Sequence, residues 1–547
     1  MPEPVGYVDF DDVGMKDGEL LVRIPANEMN SVRRGQYVRV EQKPSIGNGN
    51  GTKNYLARFI WGPLFVPDAV DKNSAFARAA ILNAGTMNFR PDYHAVCGAE
   101  VIAEIDENLN KIGTFGRPQP QSAVYLLDAS SIQKLLDIEE GGMYLGTVTG
   151  YPDVKMFYPP NKNAGLPRNV GIFGTVGSGK TNTSQVLIEE AVKSGWSVVV
   201  LDVEGEYVDM DKKSEQTVSH GGIFKRFGIE PEGVDHLSVY HTIGNESSRS
   251  DSKPFSVRFS DLEPFILGEI MDLSDPQMDR FLEITASIEE QKESRTGDNA
   301  KAKVAAIDFV AGDEDIGPAV GVQLTEVIQR IRDKLSEKKI EGPKSTYYAL
   351  IRKLNRLKSY GIFDKGDYLN FKEMLQPQKV SVVDLSGAFS PWVNNIVIMH
   401  LLRGIFGLKK GKEFEGAAHK ILIVIEEAHT LVSRDTSGKM TETLNAIREI
   451  TRRGRKRWVS LCFVTQQPSH LPPEIYELCN TKFIHQTTGQ QNLNALKSST
   501  GSVNENVWSQ VPILGQGNCL LVSSYFKNQP IFCDIRICSS KRRHAED

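Results

Sequence analysis

Asn169-Val-Gly-Ile-Phe-Gly-Thr-Val-Gly-Ser-Gly-Lys-Thr181 is the stretch whose reading decides the fold of this chain. Its core of Gly174, Thr175, Val176, Gly177, Ser178, Gly179, Lys180 and Thr181 fits the spacing G-x-x-x-x-G-K-[ST]. Val170, Ile172 and Phe173 ahead of it read as a short buried strand. Thr183 to Val192 after it reads as a helix, with Val186, Leu187, Ile188, Ala191 and Val192 at its apolar positions. Strand, glycine loop and helix in this order form a phosphate cradle. The glycines let backbone N–H groups converge on phosphate oxygens, and the helix N-terminus adds partial positive charge. Lys180 has the reach for β- and γ-phosphates, and the Thr181 hydroxyl suits Mg²⁺. The expected ligand is a nucleoside triphosphate, ATP, with Mg²⁺.

Outward from that loop, 547 residues leave room for roughly two to four domains. A net charge of −5 excludes a chain-wide basic surface for nucleic acid, so any such surface is local, in a pore or groove. Cys97, Cys462, Cys479, Cys519, Cys533 and Cys538 form no C-x-x-C pair, and several stand in apolar runs. They read as free thiols of a reducing compartment rather than disulfides or zinc ligands. There is no N-terminal apolar signal region and no apolar run long enough for a bilayer, so a cytoplasmic protein without membrane contact is expected.

Residues 1–110 carry closely spaced runs rich in β-branched and aromatic residues: VGYVDF, ELLVRIP, QYVRVEQ, YLARFIW and AVCGAEVIAEI. With Ser45 to Asn54 as a glycine-rich hairpin loop, they predict a small β-barrel that supports assembly. Residues 111–168 read as a connector with a short helix starting near Asp128 or Ser130. Residues 169–260 open an α/β core of the RecA-like kind. There Trp196 to Asp202 is a near-continuous apolar run, as a buried parallel strand requires. It ends in Asp202-Val-Glu-Gly-Glu206-Tyr207. Acids at the carboxyl end of such a strand lie beside a nucleotide crevice, although a simple turn and helix cap would also explain them. Residues 261–375 turn helical in period and read as an inserted helical bundle. Its charged stripes are most simply solvated faces, and Glu289 to Gly317 loops out. Residues 376–490 return to α/β with a strand at Val380 to Leu385, a helix from Pro391 to Leu408 and a basic loop at Lys409, Lys410 and Lys412. Residues 491–547 form a C-terminal brace of one helix and two strands, with a mobile basic tail from Ser540 to His544.

The second decisive motif is Ile421-Leu-Ile-Val-Ile-Glu-Glu427-Ala-His429, five apolar residues ending in two acids, the Walker B pattern. Glu426 is expected in the Mg²⁺ shell and Glu427 as the general base that polarises the attacking water. The first acid is usually Asp, so Glu at 426 leaves the division of labour between the pair open. The helix from Leu444 breaks at Gly454 into a basic turn. Arg452, Arg453 and Arg455 are either a solvated helix end or candidates for an arginine finger offered to a neighbouring subunit. The strand Trp458 to Thr465 ends in Gln466 and Gln467. Thr465 or Gln466 there is either a γ-phosphate sensor or a strand cap.

Taken together, GIFGTVGSGKT, LDVEGEY, LIVIEEAH, RRGRKRW, FVTQQPSHLPPEI and CNTKFIHQ resemble the HerA family of hexameric DNA-translocating ATPases, within the HerA–FtsK group. The resemblance covers about residues 165–525 and is mostly architectural before 150. It implies a homo-oligomeric ring, usually of six subunits, with double-stranded DNA threaded through the pore and ATP held between subunits. By match, Lys180 and Thr181 are nucleotide and Mg²⁺ ligands, Glu426 and Glu427 the Walker B acids, and Asp202 and Glu206 line the site. A trans arginine lies among Arg452, Arg453 and Arg455. Where the family often has E-G-R-K this chain has Arg453-Gly-Arg-Lys456, which leaves the finger unassigned. Family members work with a nuclease such as NurA in DNA end processing. Similar bacterial ATPases pair with sirtuin-like or other effectors in phage defence. Two further readings are a nucleotide-stabilised ring scaffold for an effector, and a conjugation or secretion ATPase, which usually carries a membrane segment.

Overall fold

The computed structural model describes residues 3–12, 15, 18–44, 51–68, 70–82, 92–113, 116–215, 218–296, 321–337, 342–387, 390–411, 414, 416–430, 441–501 and 503–543. Most of the Ser45 to Asn54 loop, residues 297–317, Lys412 and His544 lie outside them; of the stretch from Glu289 to Gly317 expected to loop out, residues 289–296 instead extend the helix Asp275–Thr296. The chain divides into two compact units. The first is Met1–Glu140 with Thr147–Met156 and Asn504–Gln510, and the second is the remainder.

The first unit holds β1 (Gly6–Val8), β2 (Glu19–Ile24), β3 (Tyr37–Gln42), β4 (Lys53–Pro67), β5 (Tyr93–Ile105), β6 (Lys111–Gly113) and β7 (Ala123–Leu126). Strand order β2-β1-β7-β3-β4-β5 closes through a β2–β5 pairing into a six-stranded barrel, and β6 adds to β5. Closure removes the exposed edges that an open sheet would present. The barrel forms because alternate positions are apolar: Val8, Leu20, Val22, Ile24, Val38, Val40, Phe59, Ala99 and Val124 meet in one core. Register shifts along β4 and β5, at Leu56/Ala57 and again near Trp61, bend these long strands. Strand β7 lies in the span expected to be connector. Its four residues are too short a run to show alternation against the flanking Pro and Gln residues. The expected short helix follows at Ala129–Leu135, with Asp128 as N-cap accepting from the Ser131 N–H at 2.8 Å.

A large mixed sheet continues through β8 (Met143–Val148), β9 (Tyr151–Tyr158), β10 (Val170–Phe173), β11 (Ser197–Asp202), β12 (Leu237–Thr242), β13 (Lys253–Phe255), β14 (Val380–Asp384), β15 (Ile421–Ile425), β16 (Val459–Thr465), β17 (Thr481–Ile484), β18 (Asn518–Ser523) and β19 (Ile531–Ile535). Its order is β13-β12-β14-β11-β15-β16-β10-β17-β18-β19-β8-β9. From β13 to β17 the pairings are parallel; β18 and β19 run antiparallel. The parallel strands are buried on both faces, so β11, β15 and β16 read as unbroken apolar runs. This is the α/β, RecA-like core expected of the glycine loop. Between β13 and β14 the chain inserts the helices Pro264–Ile270, Asp275–Thr296, Leu324–Ser336 and Lys344–Ser359.

The C-terminal segment corrects the expectation of a mobile tail. Ser540 is fully buried, and its N–H and hydroxyl both donate to Glu189 Oε1, at 2.8 and 2.6 Å. Gln185 donates to the Ser540 and Lys541 carbonyls. Arg536, 1% exposed, pairs with Glu189 and Glu190 at 2.9 and 3.0 Å. Residues Arg536 to Lys541 are held in place because they satisfy the buried polar side of the helix Lys180–Lys193. Among the described residues no helix is long and apolar enough to cross a membrane.

Candidate nucleotide site

Because β10, β11, β15 and β16 are parallel, their carboxyl ends open on one edge of the sheet. The glycine loop follows β10, Asp202 ends β11, Glu426 and Glu427 follow β15, and Thr465 and Gln466 stand at the end of β16. Residues as far apart in the chain as Gly174 and Gln466 are thus brought to one edge by topology alone.

Gly174 packs closely against the side chains of Ser178 and His485. A Cβ there would lie 2.6 Å from Ser178 Oγ and 2.7 Å from His485 Cβ. Gly179, at φ 107°, caps the helix Lys180–Lys193 without any side-chain hydrogen bond. The first-turn N–H groups therefore have no intrahelical or capping acceptor, which makes an anion site. The loop is pinned from behind: Thr175 N–H and Oγ1 both donate to Gln486 O (2.8 and 3.0 Å), and Ser178 Oγ donates to Thr175 O (2.7 Å). Val176 projects into solvent and Gly177 adopts φ 74° at the loop tip. Lys180 folds back to donate to Thr175 O at 2.9 Å. Burial lowers its pKa, while the charges of Glu427, Glu206 and Glu426 act in the opposite sense. Thr181 is half-buried at the first turn of the helix.

Opposite stands an acid cluster short of cations. Asp202 is fully buried and accepts backbone N–H bonds from Gly205 (2.7 Å), Glu206 (3.1 Å) and Tyr207 (2.9 Å). Burial nevertheless raises its pKa from 3.8 to about 6. Glu426, hydrogen-bonded to Asp202, is raised well above the ordinary carboxyl range, first by burial and then by the charges of Asp202 and Glu206. Its Oε2 is buried without a hydrogen-bond partner. An orphaned carboxyl oxygen and acids that resist ionisation are what a site looks like before a cation joins it, so the residues fit Mg²⁺. No group of three or more His, Cys, Asp or Glu that could hold a metal occurs among the described residues. An ion here would rest on Thr181, Glu426 and the phosphate oxygens of the nucleotide.

Glu427 departs from its neighbour. It is half-buried, adopts φ 44°, and its Oε2 stands 3.0 Å from His429 Nδ1. A non-glycine residue in the left-handed region is strained by about 1–3 kcal/mol, and such strain gathers at reacting groups. The turn re-aims the second acid away from the sheet. Glu426 is hydrogen-bonded to Asp202, whereas Glu427 stands beside His429. Glu206 stands near enough for its charge to act on both Lys180 and Glu426.

The arginines are not at this edge. Arg452 and Arg453 end the helix Thr441–Arg453, and Arg455 lies in the turn Gly454–Arg457, just before the amino end of β16. The length of β16, about 20 Å, separates them from the glycine loop of the same chain. All three are exposed, and Arg453 pairs with Glu449 at 2.7 Å. Gln466 is half-buried at the carboxyl edge.

Sequence reasoning passed over two histidines. His485 ends the run NTKFIH; its Nδ1–H donates to Asn518 O, and its Nε2 accepts from Thr183 Oγ1, each at 2.9 Å. Burial lowers its pKa to about 4, so a neutral ring props the loop from below. His429 lies 3.1 Å from Thr465 Oγ1, linking the second acid to the end of β16. Its place two residues after Glu427 was the available signal.

Residues 143–405 match the family model described as "Helicase HerA, central domain". The chain is 24% identical over 425 residues to the "DNA double-strand break repair helicase HerA" of Pyrococcus furiosus, covering 71% of this chain and 68% of that one. It is 24% identical over 374 residues to the protein of the same name from Sulfolobus acidocaldarius, covering 66% and 63%. Among solved structures, VirB4 of Thermoanaerobacter pseudethanolicus aligns with a TM-score of 0.49 and 17% identity over 73% of this chain and 97% of that one.

Proposed function

We propose that the chain belongs to the HerA helicase family, whose central-domain model it matches over residues 143–405, and that it is a cytoplasmic, ATP-hydrolysing motor that drives double-stranded DNA through a ring of six copies. In this reading it works with a nuclease or other effector subunit, NurA-like or sirtuin-like, in DNA end processing or anti-phage defence. The observation that carries it is the separation of charge across one sheet. The acids and the glycine loop share the carboxyl edge, while Arg452, Arg453 and Arg455 stand exposed at the other. An arginine that cannot reach its own nucleotide is useful to the nucleotide of a neighbour, which requires a ring or filament.

Within the site, the first-turn N–H groups and Lys180 bind and orient the phosphates. Mg²⁺, when bound, supplies charge neutralisation on the β- and γ-phosphate oxygens. Glu426 with Asp202 holds a negative centre whose proton leaves when a cation arrives. Glu427 takes the proton of the attacking water. Gln466, at the end of the strand between the P-loop and Walker B strands, is placed to sense the γ-phosphate.

The test is steady-state ATP hydrolysis by the purified chain with and without linear duplex DNA, beside Lys180→Ala and Glu427→Gln. Strong stimulation by DNA, lost in both variants, is the expected result. Hydrolysis indifferent to DNA, or present only with an added effector, would replace the motor with an effector-holding ring.

A further inference from the structure

The helix Lys344–Ser359 is built differently from its neighbours. Its apolar face, Tyr347, Leu350, Leu354 and Leu357, packs against the helices Asp275–Thr296 and Leu324–Ser336. Its sequence, KSTYYALIRKLNRLKS, holds five cations and no acid. Lys344, Tyr348, Arg352 and Arg356 follow one another at intervals of four, so they line one stripe about 18 Å long. Tyr348 is 56% exposed within that stripe.

The ordinary reading of a charged helix face is solvation, and the neighbouring helices show what that looks like. On them, cations and acids alternate and pair: Lys292 with Glu326 at 2.6 Å, Arg280 with Glu283 at 2.7 Å, and Lys334 with Glu283. On Lys344–Ser359, among the described residues, no cation pairs with a carboxylate. The side chains of Lys344, Arg352 and Lys358 make no hydrogen bond or ion pair with the described residues. Arg356 is held by Tyr360 Oη (3.0 Å) and stacks 4.6 Å over Trp392, and Lys353 donates to the Asp272 carbonyl. The arrangement also works against the helix itself. Lys344 sits in the first turn, where the macrodipole disfavours a cation, and Arg352 and Arg356 are like charges one turn apart. In a chain of net charge −5, an unneutralised positive stripe of this kind is matched to a polyanion.

We propose that the exposed face of the helix Lys344–Ser359 is a contact surface for the phosphate backbone of duplex DNA. The inference rests on the reading of the chain as a DNA motor and adds the surface through which the inserted bundle grips its track. Point cations on a smooth helix, with no side-chain amide or acid among the exposed stripe, bind phosphates without reading bases. Contact through this face is therefore indifferent to sequence, as movement along DNA requires.

The test is binding of a fluorescent linear duplex to the full chain across a salt series. The triple variant K344Q/R352Q/K358Q is compared with the charge-matched control K43Q/K72Q/R332Q. At 0.15 M salt each lost phosphate contact should weaken binding about fivefold, and the log–log salt slope should become shallower by about 0.9 per contact. The control should bind as wild type, and both variants should keep the melting temperature and DNA-free ATP hydrolysis of wild type. Wild-type affinity and slope in the triple variant, with the wild type binding DNA, would overturn this inference alone. An equal loss in the control would overturn it as well, because bulk charge would then suffice. Failure of the wild-type chain to bind duplex at low salt would overturn the motor reading and this surface together.

Discussion

At the carboxyl edge of the large sheet, Glu426 buries a carboxyl oxygen that has no hydrogen-bond partner, whereas at its amino edge Arg452, Arg453 and Arg455 stand in solvent. At the amino edge several buried polar groups are bonded within the chain, although Trp196 Nε1 and His419 Nδ1 there have no partner. Asn169 donates to the Thr451 and Leu478 carbonyls, Ser197 Oγ to the Leu375 and Gln376 carbonyls, and Lys409 Nζ to the Gly416 and His419 carbonyls. The amino edge ties its loops to the sheet with bonds made within the chain. The other, with an orphaned Glu426 oxygen and a left-handed Glu427, is finished only by a ligand. The difference teaches where stability ends and function begins along the same strands.

The largest effect that would sharpen this contrast is at the incomplete edge. Glu427→Gln should lower ATP hydrolysis by about 10²–10⁴-fold, the usual worth of a general base. Its melting temperature should not fall, because the substitution removes a charge from a crowded acid cluster. A simultaneous loss of fold, seen by calorimetry, would mean that Glu427 is structural.

Next comes the proton held between Asp202 and Glu426. With Asp202 raised from 3.8 to about 6, the folded chain binds a proton that the unfolded chain has released between those values. The stability this contributes is full below pH 3.8 and is lost as pH rises through about 6. Urea unfolding should therefore show a contribution on the order of 3 kcal/mol disappearing between about pH 4 and 6. Asp202→Asn should remove that slope, although its amide nitrogen would face the Tyr207 N–H and lower stability at every pH. An unchanged slope in Asp202→Asn would place the titrating group elsewhere.

At the amino edge, Lys409→Ala should cost about 2 kcal/mol of stability by leaving two loop carbonyls without their buried donor. Hydrolysis per folded molecule should stay at the wild-type rate. A specific loss of activity would show that the amino edge is coupled to the chemistry within one chain. The smallest expected effect is Thr183→Val, which leaves His485 Nε2 without its hydroxyl and should cost about 1 kcal/mol. The measurement is the thermal midpoint, and a larger drop would give His485 a greater share in holding the glycine loop.

The legible part of this molecule was local. The glycine loop, the apolar strand ending in Glu426 and Glu427, and the helix Pro391–Leu408 each declare themselves within a dozen or so consecutive residues, where period and end signals act. What could not be read depends on partners far apart in the chain. That Asp202 shares its proton with Glu426, and that His485 supports Thr183 across 302 positions, leaves no trace in either neighbourhood. The tail misled for the same reason. Its basic composition suggested solvent, yet its partners, Gln185 and Glu189, sit 355 and 351 positions earlier. Polar Asn182, Gln185 and Glu189 on an otherwise buried helix were the sign that something polar would cover it. The position of the arginines at the far edge required strand order, which sequence does not supply.

The claim that the two edges complete one another between subunits has a direct test. The finger-less chain R452A/R453A/R455A and the chain Lys180→Ala are each expected to be inactive. Co-expressed, they assemble mixed rings in which an intact nucleotide site faces an intact arginine turn. Recovery of DNA-stimulated ATP hydrolysis in the mixed preparation is the predicted result. Wild-type hydrolysis by the arginine variant alone, or no recovery in mixed rings verified to contain both chains, would contradict it.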